Sequence, residues 1–102
     1  MIKIKIFLAF LIFHSGMPRF DDFSLIVIPD SQRLMHYNPD HFHLMMNWIS
    51  DKRDSLNIVY VAHVGDIVEH PNSLVEWMSA DTGFSILEEA ISDEYAYGIP
   101  YG

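Results

Sequence analysis

Two short apolar runs dominate the hydrophobic pattern of the chain: FSLIVI at residues 23–28 and IVYVAHV at residues 58–64. Both are rich in β-branched side chains, and neither alternates regularly with polar residues. This pattern is typical of a strand that is covered on both faces. Such strands occur mainly in parallel sheets. The pattern therefore predicts two buried parallel strands.

A segment with helical periodicity lies between the two runs. Asn38 predicts its N-cap, and Pro39 suits the first helical position. Apolar residues then recur at i, i+3, i+4 and i+7, namely Phe42, Met45, Met46 and Ile49. We expect this helix to end near Arg53, with a loop over residues 31–38 before it and a polar turn over residues 50–56 after it. A helix joining two parallel strands predicts a right-handed β-α-β unit.

A second helix is predicted after the second strand. Pro71, Asn72 and Ser73 resemble a helix start. One apolar stripe then continues in phase past Gly83, which predicts a single helix through that glycine. Its members are Leu74, Trp77, Met78, Phe84, Leu87 and Ile91. The acidic residues beyond it predict a solvated end, and Gly98 and Pro100 predict turns.

The first sixteen residues have the order of a secretory signal. Lys3 and Lys5 precede the apolar run at residues 6–13, and the small residues Ser15 and Gly16 follow it. We expect residues 1–16 to be a signal peptide and residues 17–102 to be secreted or held in the cell envelope. The run is too short to predict a stable membrane span. Because Lys and Ile alternate at its start, the alternative is a strand in a cytoplasmic protein.

Length, charge and composition exclude several classes. The chain has 102 residues, a net charge of −8 and no cysteine. That length allows at most one domain. An acidic chain does not fit a nucleic-acid backbone as its partner, since phosphate binding needs clustered Lys and Arg. The absence of cysteine excludes disulfides, thiolate nucleophiles and cysteine zinc sites.

Each predicted strand is followed by an aspartate. Asp30 follows the first strand, and Asp66 follows the second after Gly65. Adjacent parallel strands, about 4.8 Å apart, would bring these carboxylates together at one edge of the sheet. Two ionised carboxylates repel each other unless one is protonated or a cation lies between them. Gln32 adds an amide oxygen, so the three side chains suit a divalent metal.

These residues resemble two motifs of the calcineurin-like metallophosphoesterases. The segment Pro29-Asp30-Ser31-Gln32 is similar to the first metal motif, Asp-x-His/Gln. The segment at residues 63–68, HVGDIV, is similar to the second, Gly-Asp-x-Val. The resemblance covers about residues 23–102 and fits the branch of the family that uses Asp-x-Gln. Glu69 departs from it, since the family usually has Asp or Asn there.

The resemblance implies a fold and an activity. The fold would be the N-terminal β-α-β-α portion of a metallophosphoesterase-type α/β sandwich with parallel strands. The activity would be hydrolysis of phosphate mono- or diesters by two divalent ions (Mn, Fe, Zn or Mg). By resemblance, Asp30 and Gln32 would bind the first ion, and Asp66 would bridge both.

The chain lacks the later motifs of that family. Residues 97–102 resemble the lead-in to its third motif, Gly-Asn-His-Asp/Glu, which does not occur here. We therefore expect an N-terminal fragment that is inactive alone, with catalytic residues beyond Gly102. An unpaired sheet edge and an uncovered face also predict self-association.

Other interpretations stay open. Asp30 and Asp66 are also typical turn residues. A non-enzymatic α/β module that binds one cation, or that serves as an interaction domain, is the alternative function. Response-regulator-like receivers bind Mg²⁺ in this way, but they need a later lysine, and none follows Lys52. His63 is expected to be structural, and His36, Asp40, His41 and His43 are not expected to form a metal cluster, since His41 and His43 point to different faces of a helix.

Overall fold

The two apolar runs form neighbouring parallel strands, β3 (Ser24–Ile28) and β4 (Ile58–His63). They belong to a four-stranded sheet of order β1-β2-β3-β4 in a computed structural model of the chain. The model describes residues 2–7, 10–15 and 22–102, with side chains from residue 22 onward. The prediction of a parallel pair within a mixed α/β chain is confirmed.

The side chains of β4 are less completely buried than predicted. Ile58 and Val61 are fully buried, but Val59 and Tyr60 are 37% and 38% exposed. In β3, residues 24, 26 and 28 are buried and the two between them are half-buried. The sheet therefore has one well-covered face, and the expectation of two covered faces is wrong for β4.

Two further strands, β1 (Ile2–Phe7) and β2 (Phe10–Ser15), complete the sheet. β1 pairs with β2 and β2 pairs with β3, both antiparallel. Only two residues join β1 to β2, and parallel pairing would need a long crossover. The sheet is therefore mixed, not parallel throughout.

These two strands lie in the segment predicted to be a signal peptide. The strand alternative for the first residues corresponds to β1. The signal peptide, and the location outside the cytoplasm that goes with it, stay predictions. Residues 16–21 lie outside the described residues.

Three helices cross from β3 to β4 where one was predicted: α1 (Gln32–Tyr37), α2 (Pro39–Asp51) and α3 (Arg53–Leu56). The predicted loop over residues 31–38 is wrong because Met35 is 2% exposed and gives α1 an apolar contact with the core. The predicted polar turn at 50–56 is also wrong, since α2 and α3 occupy most of it. The apolar face of α2 is confirmed by Phe42, Met46 and Ile49, which are fully buried.

The last helix, α4 (Leu74–Glu88), runs unbroken through Gly83 as predicted. Its buried face shares only Leu87 with the predicted apolar stripe. The buried residues are Glu76, Ala80, Gly83 and Leu87. A Cβ atom at Gly83 would collide with the ring of Phe42, so the glycine allows α4 to approach α2 closely. This packing leaves Leu74 and Met78 exposed.

A buried arginine fixes the chain that follows α4. Arg53 is 2% exposed, and its guanidinium donates hydrogen bonds to the backbone oxygens of Ala90, Tyr97 and Gly98. It also lies over the Tyr95 ring, 4.2 Å from the centroid. An arginine supplies several donors in a fixed plane, which suits three carbonyls that approach from different directions.

The last residues run beside β4. Tyr101 forms a parallel bridge with Val61, and the backbone N–H of His63 donates to the Gly102 oxygen over 2.8 Å. β4 thus has β3 on one side and this C-terminal segment on the other. Both neighbours run in the same direction as β4, toward the same edge of the sheet.

Candidate functional site

The loops after β3 and β4 meet at the carboxyl edge of the sheet. The Val64 N–H donates to the Ile28 oxygen over 3.0 Å and so continues the pairing of the strands by one step. The Ser31 N–H then donates to the backbone oxygen of Asp66 over 3.3 Å. These bonds tie the segment that carries Asp30 to the segment that carries Asp66.

Asp30 and Gln32 share one tight turn. The Asp30 Oδ1 atom accepts a hydrogen bond from the Gln32 backbone N–H over 3.0 Å. Gln32 is the first residue of α1. Asp30 is exposed and Gln32 is half-buried, so the turn leaves both side chains accessible. Asp30 can therefore be both a turn residue and a metal ligand. Its Oδ1 atom orders the loop, and its other carboxylate oxygen stays available to a metal ion.

Asp66 has an unusual backbone conformation. Its φ is 51°, and the preceding Gly65 has a φ of 105°. A positive φ is uncommon in residues other than glycine, although Asp tolerates it better than most. Two successive residues of this kind turn the chain sharply after β4. The Asp66 side chain stays exposed at that turn.

His63 belongs to a hydrogen-bonded chain that joins the two loops. Its Nδ1 accepts from the Gly65 N–H over 3.0 Å, so its Nε2 carries the proton and donates to the Ser31 hydroxyl over 2.8 Å. That hydroxyl donates to the Ile67 oxygen over 3.2 Å. Burial lowers the pKa of His63 and outweighs the opposing attraction of Asp30, so the imidazole is neutral. The structural role predicted for His63 is confirmed.

Ser31 is the residue of this hydrogen-bonded series that the sequence did not indicate. It is 1% exposed, and its backbone and side chain both bond across to the loop after β4. A serine between an aspartate and a glutamine gives no signal of burial. Its role depends on how β3 and β4 are aligned.

An open cavity of about 380 Å³ lies beside this edge. Its lining is mainly apolar and includes His63, Gly65, Trp77, Phe84 and Tyr101. The Phe84 and Tyr101 rings stack with their centroids 4.8 Å apart. Trp77 is 42% exposed and lines the cavity, whereas the apolar stripe placed it in the core.

The far end of the loop after β4 is held by Glu76 of α4. The Glu69 and His70 backbone N–H groups each donate to the Glu76 carboxylate over 3.2 Å. Burial alone would raise the pKa of Glu76. The hydrogen bonds from His70 and Glu69, with the attraction of His70 and His36, lower that pKa below its usual value instead.

The histidines of α1 and α2 contact different partners. His41 contacts the Asn38 side chain, and His43 Nε2 lies 2.7 Å from the Ser79 backbone oxygen. His36 packs against His70 with the ring centroids 4.8 Å apart. Of His36, Asp40, His41 and His43, only His36 therefore joins a cluster of possible metal ligands. The other members of that cluster are His70 and Glu76.

The chain is similar in sequence to a known bacterial protein. The chain is 34% identical over 85 residues to the uncharacterized protein YvnB of Bacillus subtilis (strain 168). The match covers 83% of this chain and 6% of the relative. The chain thus spans a small part of the length of the relative it matches. No protein-family profile and no solved structure matches the chain.

The length and composition of the helices bear on whether one of them could cross a membrane. Among the residues that the structure describes, no helix has both the length and the apolar composition needed to cross a bilayer.

Proposed function

We propose that this chain is part of a metal-dependent phosphoesterase domain of the calcineurin-like type, acting on phosphate mono- or diesters. Asp30, Gln32 and Asp66 are its metal ligands. The observation that carries the proposal is the hydrogen bond from the Ser31 N–H to the Asp66 backbone oxygen, 3.3 Å long. It joins the two motif-bearing loops where adjacent parallel strands end.

The donor set fits divalent metals. It consists of two carboxylates and one amide, all oxygen donors, and both aspartates are exposed at a turn. Such ligands suit hard or borderline ions, here two of Mn, Fe, Zn or Mg. When bound, a pair of such ions polarises a phosphoryl group and supplies a nucleophilic hydroxide at neutral pH.

The residues of this chain would orient these ligands. The Gln32 N–H fixes the Asp30 carboxylate, and the two positive φ angles at Gly65 and Asp66 turn the second carboxylate out at the end of β4. The neutral His63 bonds to Ser31 and so sets the separation of the two loops. Rigid placement of this kind is what a metal site requires of its surroundings.

The C-terminal segment gives further support. It runs parallel to β4, and Gly102 lies level with His63 through the hydrogen bond between them. In the family that the sequence resembles, a third metal motif follows a strand of this kind. The segment therefore ends at the edge of the sheet where the loops that carry Asp30 and Asp66 lie.

The proposal predicts that Asp66→Ala weakens Mn²⁺ binding. Asp66 would supply one of the carboxylate ligands, so its removal should lower the apparent Mn²⁺ affinity by about tenfold or more. Isothermal titration calorimetry of the 102-residue chain with MnCl₂ measures the change.

Asp93→Ala is the matched control, since Asp93 is also an exposed aspartate but lies beyond α4. It should leave the Mn²⁺ titration unchanged. A normal titration for Asp66→Ala would contradict the proposed metal role.

A further inference from the structure

Two imidazoles and one carboxylate meet outside the proposed Asp30, Gln32 and Asp66 site. His36 lies in the last turn of α1, His70 in the loop before α4, and Glu76 in the first turn of α4. One ligand atom from each residue lies within 4.8 Å of the other two. Three separate segments of the chain therefore converge on one small volume.

The contacts within this cluster have different lengths. His70 Nδ1 lies 2.9 Å from Glu76 Oε2, which is a hydrogen-bond distance. His36 Nδ1 lies 3.8 Å from Glu76 Oε1, which is too long for a hydrogen bond. His36 thus faces the carboxylate without bonding to it directly.

Those separations suit ligands that share one ion. Two ligands about 2.1 Å from a tetrahedral zinc ion lie roughly 3.4 Å apart. The two observed distances, which end on different oxygens of the Glu76 carboxylate, lie on either side of that value. The His36 and His70 side chains are 36% and 54% exposed, so both can adjust and an ion can enter from solvent.

Glu76 is oriented before any ion binds. Its side chain is 6% exposed, and two backbone N–H groups fix the carboxylate over 3.2 Å each. Oε1 accepts one of these bonds, from Glu69, and keeps a lone pair for a further partner. Outer hydrogen bonds of this kind hold a metal ligand in place.

We propose that His36, His70 and Glu76 bind one divalent transition-metal ion of the Zn²⁺ or Co²⁺ class. Two imidazole nitrogens and one carboxylate oxygen are a ligand set that zinc accepts, with water in the fourth position. Nitrogen donors favour such ions over Mg²⁺, which prefers the oxygen donors of the Asp30 site. The ion ties the end of α1 to the loop after β4 and to α4.

Co²⁺ provides the direct test, because its visible absorption reports tetrahedral coordination. The 102-residue chain is titrated with CoCl₂ by absorption and with ZnCl₂ by calorimetry. We expect one ion at this site, with affinity lowered about tenfold or more in His36→Ala and in His70→Ala.

His41→Ala is the matched control, since His41 is an exposed histidine outside the cluster. It should leave the cobalt spectrum and the zinc affinity unchanged. Mn²⁺ binding at the proposed phosphoesterase site should survive His36→Ala, which separates the two sites.

Two results would overturn the proposal: the absence of saturable Co²⁺ and Zn²⁺ binding by the unaltered chain, or unchanged binding in His36→Ala. His36 is the deciding position because its side chain is partly exposed and has no hydrogen bond to Glu76 to lose. Circular dichroism of each variant checks that the helices remain.

Discussion

Arg53 connects distant parts of the fold through a single side chain. It lies at the start of α3, and it bonds to backbone oxygens 37, 44 and 45 residues away in the segment after α4. Each carbonyl would lose its partner if the guanidinium were removed. The bond to Ala90 is buried and the other two are partly buried. A buried carbonyl without a partner costs about 1–3 kcal/mol.

We therefore expect Arg53→Met to lower the free energy of unfolding by about 3 kcal/mol or more. Arg53→Lys should also destabilise the fold, because one ammonium cannot reach three carbonyls in the geometry of a planar guanidinium. Urea denaturation followed by circular dichroism measures both changes.

Arg33→Met is the matched control for this prediction. The Arg33 side chain is 70% exposed, and its nearest carboxylate, on Glu69, lies 3.9 Å away. Its loss should change the free energy of unfolding by no more than about 0.5 kcal/mol. If Arg53→Met were as mild as this control, the C-terminal segment would not depend on the arginine.

At the scale of the helices, α2 and α4 begin in different ways. The sequence predicts a cap for each, Asn38 for α2 and a residue of the Pro71-Asn72-Ser73 cluster for α4. Ser73 does cap α4, since its hydroxyl accepts from the Glu76 N–H over 3.3 Å. Asn38 occupies the N-cap position of α2 as predicted, but its side chain makes no capping hydrogen bond and contacts the His41 ring instead.

These contacts predict unequal costs for two similar substitutions. Ser73→Ala should lower the free energy of unfolding by about 1 kcal/mol, as is usual for the loss of an N-cap. Asn38→Ala should cost only a few tenths of a kcal/mol, since it removes an exposed contact. Chemical denaturation of the two variants in parallel makes the comparison, and equal costs would contradict it.

At the scale of the whole molecule, an exposed apolar surface on the first half of α4 bears on self-association. Leu74, Val75 and Met78 are 72%, 73% and 60% exposed, and Leu74 and Met78 lie one turn apart on the same face. Contiguous apolar residues on a surface favour association. This surface therefore gives the predicted self-association a location.

We expect Leu74→Lys and Met78→Lys, separately or together, to shift the chain toward the monomer without loss of helix. Size-exclusion chromatography over a range of concentrations, with light scattering, measures the shift. Ile91→Lys is the control, because Ile91 is 63% exposed but lies beyond α4. A chain that is already monomeric before substitution would contradict the prediction.

The sequence by itself determined the parallel strands, the apolar face of α2 and the continuity of α4. These elements depend on local periodicity and on runs of β-branched residues, which are readable without knowledge of the fold. The sequence also indicated that Asp30 and Asp66 follow adjacent strands. The hydrogen bond from Ser31 to Asp66 supports that placement, while the metal role of the two aspartates stays a prediction.

The tertiary structure decided which side of α4 is buried. By hydrophobicity alone, Leu74 and Trp77 belong inside and Glu76 outside. The close approach of Gly83 to Phe42 rotates the helix so that Glu76 is covered, and the loop at Glu69 and His70 then satisfies its carboxylate. Only packing between distant segments can make burial of a charged residue favourable.

The same reason explains the residues that the pattern did not indicate. Arg53, Ser31 and the grouping of His36 with His70 all depend on partners more than 30 residues away. A polar residue gives the same signal in the sequence whether it lies in solvent or completes a buried network. The strands and helices were therefore readable from local pattern, whereas the polar contacts between them required the three-dimensional arrangement.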